Sequence, residues 1–199
     1  MFRFSDMFSL SRICGPVMRN RGRIEKMIKI YGAESYRWYV KVFSCPDTMQ
    51  KALGVNIPPW VKALSFRNCV CFLEQSYWLE PEPNGYDDLL VHECAHCLAN
   101  ARYGKGIPRW LDEGLAMYFA GQIGSTEAIG MPPQEKDIAC IGYEDPMLYR
   151  YSSLLMDALT SVRSIGGILA LADDAENFSA HGPLGDKTLR ESITAFKEK

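Results

Sequence analysis

Leu90-Val91-His92-Glu93-Cys94-Ala95-His96 is followed, after sixteen intervening residues, by Glu113 within Pro108-Arg109-Trp110-Leu111-Asp112-Glu113-Gly114-Leu115-Ala116. A helix turns about 100° per residue, so positions four apart lie on one face, one turn from each other. His92 and His96 on such a helix present two imidazole nitrogens to a single ion. Glu113, on the next helix, supplies a third ligand. Two histidines and a carboxylate with an open fourth position are the donor set of a catalytic zinc site rather than a structural one. Glu93, one residue past the first ligand, leans beside the ion. There it can take a proton from a zinc-activated water and pass it to a leaving amine.

The flanking residues agree with two helices. Asn84-Gly85 is a turn signal, and Asp87 and Asp88 fall where a first helical turn favours negative charge. Leu89, His92, His96 and Ala99 form one stripe. Leu90, Cys94, Cys97 and Ala101 form an apolar stripe, so the spacing predicts separate metal and packing faces. Gly104 and Gly106 turn the chain, Pro108 suits the first position of the second helix, and Gly121 suits its end. Glu113 stands among Trp110, Ala116 and Met117, and a buried carboxylate there needs a cation or a hydrogen-bond donor.

The remainder reads as strands first and helices after. Tyr36 to Phe43 alternates as a half-buried strand. Cys45-Pro46-Asp47 opens a short helix over Thr48–Leu53, and Val61–Phe66 and Asn68–Gln75 are two more strands. Gly121 to Asp145 is a long connection of the kind that is functional or mobile. Asp145-Pro146 caps a third helix running to about Ser164. Gly166-Gly167 interrupts it, and Ile168–Ala172 and Lys187–Lys197 close the chain as short helices. This order predicts an α+β protein. A basic helical segment (1–34), with its helix over Arg19–Tyr31, precedes the main domain (35–199), whose mixed-sheet lobe (35–80) leads into a helical lobe (81–199).

Composition narrows the partners. A net charge of −2 in 199 residues gives no reason to expect nucleic acid, and no uncharged apolar run is long enough for a membrane span. Seven cysteines read as buried thiols in a reducing, cytoplasmic setting. Cys94 lies about 200° around the helix from His92 and so belongs to a different face. Residues 1–30 carry seven Arg or Lys against Asp6 and Glu25, which faintly suggests a mitochondrial presequence; the plainer reading is the basic amphipathic helix.

With these motifs in view, residues 86–121 resemble the gluzincin metallopeptidases, and most of all their small, peptidase-MA-like bacterial branch. Pro108 to Ala116 is similar to the Trp-x-x-Glu-Gly-x-Ala element that carries the third ligand in that group. The resemblance implies a zincin-like fold with one Zn2+ between the two lobes and a peptide or protein as substrate. It also implies that the last strand before the metal helix, here Cys69 to Gln75, pairs with an extended peptide. Glu74 on that strand is a candidate amine anchor, with a plain surface carboxylate as its other reading. A tyrosine following the third ligand donates to the developing oxyanion; Tyr149, with Ser152 three residues on, fits that pattern, and Tyr151 competes with it. His181, in Ser179-Ala180-His181-Gly182-Pro183, is a secondary candidate for the same charge, and Asp112 for orienting a ligand histidine. Two alternatives stay open. One is a catalytically weak metal-binding regulatory or scaffold protein on the same fold, and the other is a zinc amidase or esterase acting on a non-peptide substrate.

Overall fold

The computed structural model describes residues 2–124, 130–133, 136–145 and 147–199. Among these residues it is α+β, with seven α-helices and one four-stranded mixed sheet. The chain divides into two compact units, residues 1–101 and 102–199, and the division falls in the last turn of one helix.

The first unit holds the sheet. Its strands are β1 (Phe2–Phe4), β2 (Trp38–Phe43), β3 (Ala63–Phe66) and β4 (Cys69–Leu73), in the order β1-β2-β4-β3. β1 and β4 both run parallel to β2, while β3 is antiparallel to β4. The period-2 pattern of β2 is realised: Trp38, Val40 and Val42 are buried and Tyr39 is exposed. Cys71 and Leu73 of β4 pack with Phe43, Met49 and Ile57 on one face of the sheet. On the other face Phe72 meets Tyr86 edge-on, and the Trp38 indole faces the Cys94 sulfur. The position of β4 corrects one expectation. Its main-chain groups are taken by β2 on one side and β3 on the other, so an extended peptide cannot pair with it. The edges of the sheet are β1 and β3.

Helix α1 (Met7–Tyr31) starts twelve residues earlier than the expected Arg19. The Asp6 side chain accepts from the Ser9 amide at 2.7 Å, a side-chain cap that fixes the start. Pro16 lies inside the helix and did not end it. The basic residues of α1 are largely committed to neighbours. Arg19 grips Asp87 with two hydrogen bonds, of 3.0 and 2.6 Å. The buried Asn20 adds a third to the same carboxylate at 2.7 Å. α1 thereby holds the first turn of α3 (Tyr86–Tyr103). Helix α2 (Pro46–Leu53) begins with proline at its first position and ends at Gly54, whose positive φ suits a residue without Cβ.

The second unit is helical: α4 (Arg109–Ala120), α5 (Leu148–Val162), α6 (Ile165–Ala172) and α7 (Asp186–Lys197). α5 and α6 bend by 112° at their junction, and among the described residues no single helix is long and apolar enough to cross a membrane. The bend lies at Arg163-Ser164 rather than at the glycine pair, because Ser164 caps α6 by accepting from the Gly167 amide. Gly166 and Gly167 sit in the first turn of α6 instead of ending α5. The proposed role of Pro146 at the start of α5 lies outside the described residues; Asp145 does accept from the Met147 amide at 2.9 Å. The long connection before α5 is anchored where it is described. Arg190 of α7 donates to the carbonyls of Pro132, Pro133 and Lys136 at 2.6–2.8 Å, and Asp186 accepts from the Ile138 amide.

The Arg19–Asp87 contact makes a prediction about pH. Hydrogen bonds from Arg19, opposed by partial burial, hold the Asp87 carboxyl below its usual range. A depressed carboxylate contributes stability above its unfolded pKa and loses it as pH falls through the folded one. Arg19→Gln should therefore lower urea-unfolding stability at pH 7, by a small amount for so exposed a partner. The gap to wild type should close below about pH 4. A gap that is constant from pH 7 to pH 3 would show that the ion pair is not its source.

Candidate metal centre

Every residue of α3 from Val91 to Ala99 is buried except the half-buried His92, while Ala101 is exposed. The metal and packing faces are thus both buried: His92 and His96 converge on each other, while Cys94 faces the Trp38 indole. Glu93 and His96 are each only 7 % exposed. The Nε2 atoms of His92 and His96 converge to 3.1 Å, as the four-residue spacing requires.

Glu113 is fixed by the packing of α4. Pro108 stands one position earlier than expected, as the cap rather than the first helical residue, and Gly121 ends the helix with φ 73°. The glycine after the carboxylate has a steric reason. A Cβ on Gly114 would stand 2.7 Å from Met156 Cγ and 3.1 Å from the Ser152 carbonyl oxygen. α4 and α5 approach that closely only where α4 lacks a side chain. Glu113, adjacent to this contact, is 3 % exposed.

One ligand-capable atom from each of His92, His96 and Glu113 can be chosen so that all lie within 4.8 Å of one another. Among the described residues this is the one group of three or more such side chains. The donor set fits a metal ion. Two nitrogens bound to a tetrahedral zinc at roughly 2.0–2.1 Å would be about 3.3 Å apart, close to the 3.1 Å found.

The other candidates are placed as follows. Tyr149 and Tyr151 separate clearly on α5: Tyr149 is 53 % exposed and Tyr151 6 %. Tyr149 shares its helix face with Ser152 and Met156, the residues that meet Gly114. Asp112 is half-buried, and its charge is felt by Tyr143. Glu74 is paired with Arg12 at 3.2 Å, so the amine-anchor role would require breaking that contact. His181 is exposed in the turn before α7.

Tyr143 and Arg109 were not singled out from sequence. The Arg109 guanidinium lies 4.8 Å from the centre of the Tyr143 ring. Loss of solvent around the phenol end, then the Asp112 and Glu113 carboxylates, push the Tyr143 pKa above the tyrosine range, although over half of the residue is exposed. A tyrosine in an aperiodic loop gives no sequence signal that would place it beside α4. Comparison of the chain with known protein families, curated proteins and solved structures finds no match.

Gly114 supplies a test. In an open helix interior Gly→Ala gains up to about 1 kcal/mol. Here the added methyl meets a backbone carbonyl, and overpacking of this kind costs about 1–3 kcal/mol. Gly114→Ala should lower the thermal midpoint and weaken metal uptake together. A variant as stable as wild type would show that α4 and α5 are not so closely apposed.

Proposed function

We propose that this chain is a zinc-dependent metallopeptidase of the gluzincin kind, with a zincin-like fold and a peptide or protein substrate. The observation that carries the reading is the convergence of His92, His96 and Glu113, with a buried glutamate next in sequence to the first of them. These three side chains would hold the ion. Bound zinc would supply a Lewis acid for the scissile carbonyl and a water reactive near neutral pH.

The protein's own groups do the rest. The Glu93 carboxylate takes a proton from the attacking water and returns it to the departing amine nitrogen. A site that only held a fold together would need no such base beside its ligands. Tyr149, exposed on the α5 face that meets α4, donates a hydrogen bond from its hydroxyl to the carbonyl oxygen as charge builds there. Burial of Tyr151 favours Tyr149 for that task.

Metal analysis of protein purified without chelator should give one zinc per chain, and His96→Ala should abolish it. Glu93→Gln keeps size and polarity. It should retain zinc while hydrolysis of a mixed peptide panel falls by roughly 10²-fold or more. Full activity in Glu93→Gln would transfer the base role to another residue. Zinc binding without turnover on peptides, esters or amides would instead indicate a regulatory metal protein, and turnover confined to non-peptide esters or amides would indicate the third reading.

Tyr149→Phe should lower kcat by about 10²–10³ with little change in KM. Tyr151→Phe should act mainly on stability, since the residue is 6 % exposed. The reverse pattern would assign the oxyanion contact to Tyr151.

A further inference from the structure

We propose that Arg109, stacked on Tyr143 beside Glu113, is a carboxylate-recognition site that selects peptides carrying a carboxylate next to the scissile bond. The proposal rests on the metallopeptidase reading above and names a substrate class for it.

Arg109 opens α4, and Glu113 lies four residues on, so the two side chains share one helix face a turn apart. A substrate whose carbonyl lies at Glu113 therefore extends within reach of the guanidinium. Stacking on the Tyr143 ring at 4.8 Å orients the guanidinium plane and leaves its in-plane N–H groups directed away from the ring. Arg109 makes no hydrogen bond among the described residues. Its one ion-pair neighbour there is Glu144 at 4.0 Å, beyond hydrogen-bond length and on a side chain 85 % exposed.

Other arginines show what a structural role looks like in this protein. Arg102 grips Asp173 through two bonds of 2.8 and 2.6 Å, and Arg19 does the same with Asp87. Arg190 satisfies three carbonyls and a carboxylate. Arg109 is held in place by an aromatic face while its fork stays available, the arrangement that suits bidentate binding of a carboxylate. The carboxylates of Asp112 and Glu144 lie close by, so anions in general are not drawn to this face. Selection comes from the geometry of the fork.

The carboxylate has two sources, the C-terminus of the substrate or an Asp or Glu side chain, and paired peptides separate them. One series varies free acid against amide at the C-terminus with the sequence constant. The other varies Asp against Asn, and Glu against Gln, with the terminus amidated. On zinc-loaded wild type at least one series should show a preference for the carboxylate member of about tenfold or more in kcat/KM, equivalent to one charge-assisted contact. In Arg109→Gln that ratio should fall toward one, and in Arg163→Gln, an exposed arginine at the end of α5, it should persist. Zinc content and thermal midpoint of both variants are measured alongside. Equal rates within both series, or a preference that survives in Arg109→Gln, would overturn the proposal. If zinc is bound but no peptide is cleaved, the hydrolytic reading fails and calorimetric titration decides the subsite. Titration of wild type with an N-acetyl dipeptide acid and its amide should show the acid binding about tenfold tighter, and equal affinity would overturn it. The wild-type titration also decides if Arg109→Gln fails to fold.

Discussion

Placing ionisable side chains in the buried middle of a helix is the constraint on which the rest of the structure turns. α3 carries an imidazole, a carboxylate and a second imidazole at positions 92, 93 and 96, and almost every residue around them is shut off from solvent. Such groups are tolerated in an interior only when each is given a partner, because stripping them of water otherwise costs several kcal/mol. Glu113, itself buried, brings a third polar group to the same place. Two imidazoles and a carboxylate that converge in this way are a group that could hold a metal ion.

The scaffold serves that end from several directions. The Trp38 and Phe72 side chains cover one side of α3 with aromatic surface, while Arg19 and Asn20 bind its first turn through Asp87. In the helical unit the missing side chain at Gly114 lets α4 settle against the Ser152 carbonyl. That contact leaves Glu113 little freedom, so the position of the ligand is set by backbone packing rather than by a flexible side chain. The exposed aromatic residues Tyr143 and Tyr149 lie on the same unit but outside this packing, where contact with another molecule is sterically open.

Much of this was legible from local pattern. The four-residue histidine spacing, the glycine stops at 54 and 121, the proline opening of α2 and the alternation of β2 each follow from interactions within a few residues. So did the existence and order of the main elements from β2 onward, whereas β1 (Phe2–Phe4), in the segment read as helical, was not expected. The errors share a different origin. The start of α1 expected at Arg19 lay twelve residues late, because the Asp6 cap sits far upstream, and the break expected at Gly166-Gly167 moved to Ser164, whose side chain caps α6. Ala101 was read into the apolar stripe of α3 and is exposed, because cover gives out in the last turn of the helix. The partners of β4 were likewise invisible, since nothing in five residues states which strands will lie on either side.

The amino-acid sequence by itself determined which groups are available for chemistry and their spacing along each helix, because a helical repeat converts residue number directly into direction. Only the tertiary structure decided that β4 is enclosed, that Glu74 is held by Arg12, that Tyr151 is buried while Tyr149 is not, and that Arg109 stacks on a tyrosine thirty-four positions away. Each of these depends on contacts between segments distant in the chain. Their energies come from burial and steric fit summed over many residues, which no local repeat encodes.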